Sequence, residues 1–193
     1  MGNREDLLAG ARQAVLERGL AKVTARDIAS AAGVSLAAIG YHFGSKDQLV
    51  TEAIALGMGS DIGDDLDIAI NATAGRSLGD WLPELLSALT EVARRHRDSL
   101  LLSFENGMQI ARDPAQQAFM AQATEGALQD MGATVRTAHP DLTADQAAVV
   151  GQLLFLLFQG MGVQQLIVPD APPLDGAALV DALEALRGSR SGG

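Results

Sequence analysis

The chain has 193 residues, of which 48% are hydrophobic and 20% charged, with no cysteine and a net charge of −10. This composition is typical of a folded globular protein, and it excludes disulfides and thiolate metal sites. The charge is unevenly spread, because residues 1–50 hold six basic and five acidic side chains while residues 51–193 carry a net charge of −11. A nearly neutral N-terminal end on an acidic remainder indicates a nucleic-acid-binding end attached to a different kind of domain. The charged start, MGNREDLLAG, argues against a signal peptide, and we expect a cytoplasmic protein.

Helical periodicity runs through nearly the whole sequence, and no stretch alternates apolar and polar residues as a strand does. The first helix is predicted over residues 3–18, with Gly19 as its C-terminal stop. A second helix is predicted after the N-cap candidate Thr24, a third after Ser35 and a fourth after Ser45.

Beyond residue 50 the predicted helices lengthen. The fourth is expected to continue into the 50s, where the stretch GMGSDIGDDLD obscures its end, and five more are expected near residues 78–95, 98–112, 114–137, 143–167 and 175–187. The segment 147–168 has no charged residue and is long enough to span a bilayer, but four glutamines interrupt it and no basic cluster flanks it. We therefore predict no membrane span there, but a helix buried on most of its circumference.

The second and third helices, joined by a tight turn at Gly33, are typical of a helix-turn-helix. Ile28, Ala29 and Ile39 are expected to pack between them, and Phe43 to join that core. The start of the third helix would then meet base edges, while hydrogen-bonding side chains further along would meet phosphates. The candidates for DNA contact are Ser35, Leu36, Ala37, Tyr41, His42 and Lys46, with Arg26 on the second helix.

The run LLAGARQAVLERGLAKVTARDIASAAGVSLAAIGYHFGSKDQLVTEAI resembles the N-terminal domain of the TetR family of bacterial transcriptional regulators. The resemblance implies an all-α protein with a helix-turn-helix DNA-binding domain over residues 1–50, called the head below, and an effector-binding and dimerisation domain over residues 51–193. It also implies a homodimer that binds a palindromic operator and is released by a small molecule.

Carried onto this sequence, the resemblance implies that Thr24 caps the second helix and touches phosphate. It implies that residues 35–37 read bases and that Tyr41, His42 and Lys46 hold the DNA backbone. One position departs from the family pattern: Gly40 stands where a tyrosine is common. Leu36 and Ala37 offer bases only apolar contacts, such as contacts with thymine methyl groups.

No motif for catalysis, a metal or a cofactor is present, so we expect neither an enzyme nor a bound cofactor. The carboxylates Asp61, Asp64, Asp65 and Asp67 lack the spacing of a calcium loop. We read His96 as part of a solvated helix end. An effector pocket is expected where apolar and aromatic side chains concentrate, which favours an apolar or aromatic effector; its candidates are Trp81, Leu85, Phe104, Glu105, Met108, Phe119 and Phe155.

The resemblance also implies that the last two predicted helices, about 143–167 and 175–187, form the dimer interface; an uncharged helix suits it, because obligate interfaces resemble a domain core cut in half. Gly151, Gly160 and Gly162 would let the helices approach closely. The sequence thus predicts a ligand-responsive regulator, in the first place a repressor. An activator, a regulator that answers a protein, and a binding or enzymatic helical bundle that retains a DNA-binding head stay open as alternatives.

Overall fold

The structure, a computed structural model, describes residues 4–188, and within them the chain is all-α, as predicted. Residue 3, where the first helix was predicted to begin, lies outside that range. The helices of the described part are α1 (Arg4–Arg18), α2 (Ala25–Ala31), α3 (Leu36–Phe43), α4 (Lys46–Asn71), α5 (Leu78–Arg95), α6 (Arg97–Ile110), α7 (Pro114–Ala138), α8 (Ala144–Ile167) and α9 (Gly176–Gly188).

Helix α4 is longer than the sequence pattern predicts, because it runs unbroken through the glycine- and aspartate-rich stretch to Asn71. Each glycine in a helix interior costs about 1 kcal/mol relative to alanine. Ile62, Leu66 and Ile70 recur every fourth residue on one face of this part of α4, and each is at most 6% exposed. Burial of that face outweighs the poor helix propensity of the stretch.

The chain divides into two compact units. The first joins the residues up to 61 to residues 98–124, and the second joins residues 62–97 to those from 125 onwards. The boundary at residue 50 follows the sequence pattern and stays a prediction.

The core of the first unit joins the head helices to the start of α4. Leu7 and Val15 of α1, Ile28 of α2, Ile39 of α3 and Leu49 of α4 are buried in one apolar cluster. Helices α1 and α2 approach very closely: a Cβ placed on Gly10 would lie 2.6 Å from the backbone nitrogen of Ala32. The expected packing of Ile28 against Ile39, with Phe43 buried beside them, is confirmed.

In the second unit, α5 packs against both α8 and α9. Leu82, Leu86 and Val180 form the buried centre of this contact. Helices α7 and α8 also meet closely, since a Cβ on Gly151 would lie 2.8 Å from the backbone nitrogen of Gly132. Gly151, predicted to serve a contact between two subunits, therefore serves a contact within one chain.

Helix α8 carries two apolar stripes. Ala147, Gly151, Leu154, Phe158 and Gly162 are its buried residues and recur every three or four positions. At 100° per residue, the opposite side holds a second stripe of the same spacing, whose large apolar members are all at least 38% exposed: Val149, Leu153, Leu156, Val163 and Ile167. Only one side of α8 is buried, and the prediction of burial on most of its circumference is wrong for the single chain. By length and composition alone α8 could cross a membrane, a test that many helices of soluble proteins also pass.

Candidate nucleic-acid interface

The turn between α2 and α3 depends on a glycine. Gly33 has φ +64°, in the left-handed region that other residues rarely adopt. Its amide donates to the carbonyl of Ser30 at 3.2 Å, and the amide of Val34 donates to the carbonyl of Ala29 at 3.0 Å. These bonds form the turn that ends α2. Four residues separate the end of α2 from the start of α3, which gives the two short helices of a helix-turn-helix.

Thr24 caps α2 as predicted. Its Oγ1 accepts from the amide of Asp27 at 3.2 Å, and its own amide donates to Asp27 Oδ2 at 2.9 Å. The Thr24 hydroxyl also donates to Asp27 Oδ2 at 2.7 Å. This hydroxyl bond, helped by the backbone bond and by Arg18, lowers the pKa of Asp27. Because the hydroxyl hydrogen of Thr24 is engaged by Asp27, the predicted phosphate contact of Thr24 would have to break this bond.

The outer face of α3 is apolar and open. Leu36 is 49% and Tyr41 85% exposed, with Ala37 and Gly40 exposed between them. Residues 36 and 40, like 37 and 41, are one helical turn apart and therefore share a face. Ser35 is the N-cap residue of α3, but its side chain makes no capping bond to the helix. Its hydroxyl thus remains at the end of the helix that a helix-turn-helix brings to base edges.

Tyr41 and His42 stand together at the C-terminal end of α3. Their ring centroids are 4.9 Å apart and the ring planes are nearly perpendicular, at 87°. His42 is half-buried, whereas Tyr41 projects into solvent. The exposed phenol can donate to a phosphate without disturbing the core of the head.

Residues 22–46, which span the helix-turn-helix, contain three lysine or arginine side chains. Lys46 begins α4 and lies 3.4 Å from the carbonyl oxygen of Val23 and 3.1 Å from Asp47 Oδ1. Arg26 and Lys22 are exposed and form no ion pair within the described residues. Lys22, in the loop between α1 and α2, was not among the predicted contacts; its place just before the cap of α2 is the signal that would have pointed to it.

The predicted effector residues fall in both units. Phe104, Glu105 and Met108 on α6 and Phe119 on α7 belong to the first, and Trp81, Leu85 and Phe155 belong to the second. Leu85 is fully buried, whereas Met108 is 65% exposed. Trp81 packs against the α5–α9 core, and its ring centroid lies 5.2 Å from that of His139. Each unit therefore holds part of the predicted set, and the pocket stays a prediction.

The sequence analysis does not predict a cluster of three buried polar side chains that the structure contains. Thr51 of α4, Asn106 of α6 and Gln116 of α7 are 0%, 4% and 7% exposed. The Thr51 hydroxyl donates to Gln116 Oε1, and Asn106 Nδ2 donates to Thr51 Oγ1 at 3.4 Å. Gln116 in turn donates to Asp113 Oδ2 at 2.8 Å, the chief cause of a lowered pKa at Asp113. Asn106 and Gln116 follow Thr51 by 55 and 65 positions, and no local sequence pattern predicts hydrogen bonds over such separations.

Three of the four aspartates over residues 61–67 of α4 are engaged by protein groups. Asp61 pairs with Arg12, Asp65 with Arg95 and His96, and Asp67 accepts from Thr134. Among the residues that the structure describes, no group of three or more histidines and carboxylates could hold a metal ion.

A helix-turn-helix with an open recognition face, followed by longer helices, defines the class of DNA-binding regulators. Residues 7–53 match the model of the family described as bacterial regulatory proteins, tetR family, so the resemblance stated above is confirmed over this part of the chain.

Solved structures share the fold along almost the whole chain. A protein of Rhodococcus sp. RHA1 predicted to be a transcriptional regulator has a TM-score of 0.65 and 18% identity, with 96% of this chain and 94% of that one covered. The multidrug binding protein EbrR, complexed with proflavin, has a TM-score of 0.64 and 22% identity, with 95% and 98% covered. A Rhodococcus sp. protein predicted to be a TetR-family transcriptional regulator has a TM-score of 0.61 and 19% identity, with 96% and 98% covered. No curated protein matches the chain.

Proposed function

We propose that this protein is a ligand-responsive transcriptional repressor that acts in the cytoplasm, binds a palindromic operator as a homodimer and is released from it by a small effector. The observation that carries the proposal is the open face of α3 in a head that matches the tetR family. No catalytic step is part of the proposal.

The DNA contacts proposed for the head divide by position on α3. Ser35, Leu36 and Ala37 stand at the N-terminal end, where a recognition helix meets base edges. Tyr41, His42 and Lys46 stand at the C-terminal end and at the start of α4, where they hold phosphates. Arg26 and Lys22, which form no ion pair within residues 4–188, add positive charge, which supports a salt-dependent affinity despite the net acidity of the chain.

The exposed stripe of α8 supports the homodimer. Four large apolar side chains on one face of α8 are each more than half exposed in the single chain: Val149, Leu153, Leu156 and Ile167. An exposed apolar patch of this kind is unusual on a monomeric protein. Leu186 of α9 adds a further exposed apolar side chain, 66% exposed. A self-complementary contact between two copies would cover these residues and place the two heads on two operator half-sites.

The effector proposed here is apolar or aromatic. The fold neighbour EbrR, whose crystal structure holds proflavin, supports a planar aromatic compound as a first probe. Trp81 is the only tryptophan of the chain, so tryptophan fluorescence reports on the surroundings of Trp81 alone. Titration with proflavin is expected to change the Trp81 emission and to weaken operator binding together. If neither the Trp81 emission nor operator binding changes at proflavin concentrations in large excess over the protein, proflavin-like aromatics are removed from the proposal.

The test of the DNA-binding role is a gel shift with the full chain on the DNA upstream of its own gene, at several salt concentrations. Lys46→Ala removes a positive charge and is expected to reduce the slope of log affinity against log salt by about 1, whereas Tyr41→Phe removes no charge and should leave the slope unchanged. Tyr41→Phe, His42→Ala and Lys46→Ala are each expected to weaken binding about tenfold to a hundredfold per head, since a hydrogen bond to a charged group is worth about 1.5–3 kcal/mol.

The matched control is Arg136→Ala, which removes one exposed positive charge from α7 and should leave affinity unchanged. If all three head variants bind as the wild type does, the head is not used as proposed.

A further inference from the structure

The exposed face of α3 lacks every side chain that pairs bidentately with a base. Guanine is read by Arg or Lys, adenine by Asn or Gln, and cytosine by Asp or Glu. Helix α3 reads LAAIGYHF, and none of these six residue types occurs in it or at its N-cap Ser35. The one base feature that complements an aliphatic side chain in the major groove is the C5 methyl group of thymine.

Leu36 is placed to meet such a methyl group. It occupies the first position of α3, is 49% exposed, and is not part of the buried cluster that holds the head together. A single exposed leucine is common on protein surfaces and is not evidence by itself. Here it stands at the end of a helix-turn-helix recognition helix that points at base edges, with the exposed methyl of Ala37 next to it.

Gly40 opens the same face to a close approach. It lies one helical turn after Leu36, and a Cβ placed on it would meet no atom within 4 Å. Its φ is not positive, so neither packing nor backbone conformation in the free protein requires a glycine. In a helix of eight residues this glycine lowers helix stability, and its benefit must lie outside the free chain. Space for the wall of the groove beside Leu36 is such a benefit.

We propose that the operator presents thymine methyl groups to Leu36 and Ala37, and that Gly40 lets α3 sit deep enough in the major groove for this contact. The proposal rests on the DNA-binding role of the head proposed above and names what that head reads. Specificity in each half-site then comes from apolar burial at one or two base pairs, while Tyr41, His42 and Lys46 supply sequence-independent affinity.

The test uses the full chain and an operator obtained by selection from random-sequence DNA. Thymines of one half-site are replaced one at a time by deoxyuridine, which removes only the methyl group. At one or two positions affinity should fall about fourfold, and about fifteenfold when both half-sites are changed, as expected for the burial of one methyl group at each. Replacing the sensitive T·A pair by C·G should weaken binding, and 5-methylcytosine in place of that cytosine should restore part of the loss.

The variant Leu36→Ala tests whether Leu36 is the residue that contacts the thymine methyl group. This variant should lose affinity for the thymine operator and lose its sensitivity to deoxyuridine at the position that meets Leu36, which is a double-mutant cycle between protein and DNA. Leu16→Ala, which shortens a 59% exposed leucine of α1, is the matched control and should keep the sensitivity. Gly40→Ala should raise Tm and weaken operator binding at the same time.

Three results separate the two proposals. Specific binding to the selected operator with no deoxyuridine sensitivity at any position overturns thymine reading and leaves the DNA-binding role intact. Sensitivity that persists undiminished at every position in Leu36→Ala assigns the methyl contacts to residues other than Leu36 and also overturns the proposal. Selection that enriches no sequence overturns the DNA-binding role itself.

Discussion

Nε2 of His96 lies 2.7 Å from Oδ2 of Asp65, although the two residues are 31 positions apart. Arg95 donates to the same oxygen at 2.9 Å. The His96 bond is the main cause of a lowered pKa at Asp65, and the positive charge of Arg95 adds to it. These contacts fasten the end of α5 to the middle of α4, and His96, read from the sequence as part of a solvated helix end, is half-buried there.

A carboxyl with a lowered folded-state pKa stabilises the fold above its unfolded-state value, about 3.9, and this stabilisation is lost as pH falls through the folded-state value. We expect Asp65→Asn to lower the free energy of unfolding at pH 7, and its deficit to shrink as pH falls below about 4. Urea unfolding across this range measures the deficit. Asp64→Asn, at the exposed neighbouring position, is the control and should show no such trend.

Loss of the Thr51 hydroxyl should destabilise the first unit. Thr51→Val leaves Gln116 and Asn106 buried without that partner, which costs about 1–3 kcal/mol in the free energy of unfolding. Combination with Gln116→Met, which removes the second polar partner, should cost less than the sum of the two single variants. Urea unfolding measures all three, and a strictly additive result would show that the cluster is not coupled.

Gly151 is expected to tolerate no side chain. In Gly151→Ala the new Cβ would press on the backbone of Gly132, so α7 and α8 must separate, at a cost of about 1–3 kcal/mol. Gly107→Ala on α6, where a Cβ meets nothing within 4 Å, should instead raise stability by up to about 1 kcal/mol. Thermal unfolding of both variants compares them; an equal shift in both would contradict the close contact of α7 with α8.

Leu153→Glu should convert the proposed homodimer into a monomer. Both copies would bury an unpaired carboxylate, each at a cost of several kcal/mol, so the dimer dissociation constant should rise about hundredfold or more. Leu16→Glu, at an exposed leucine of α1, should leave the dimer intact. Sedimentation equilibrium distinguishes the two, and a Leu153→Glu variant that remains dimeric would place the interface elsewhere.

Local signals made the helix boundaries predictable. Thr24 and Thr143 each form a capping box, and Gly19 and Gly33 take the positive φ that a helix stop or tight turn needs. Such signals depend on neighbours within four residues, so the sequence displays them directly.

Contacts between distant residues were not predictable. The length of α4 depends on burial of Ile62 and Leu66, and the surroundings of His96 depend on Asp65. In the candidate site, the exposure of Leu36 and Tyr41 follows from the period of α3, whereas no local signal predicts the contact of Lys46 with the carbonyl of Val23, 23 positions away.

Helix α8 turns one apolar stripe to the core and, in the single chain, a second apolar stripe on its opposite side to solvent. The exposed stripe runs from Val149 to Ile167, a length of about 27 Å at 1.5 Å per residue. If a second copy covers this stripe, folding is coupled to dimerisation, and the stability of the chain rises with its concentration. Dilution alone should then lower Tm, and a newly synthesised chain would reach its full stability only after it dimerises.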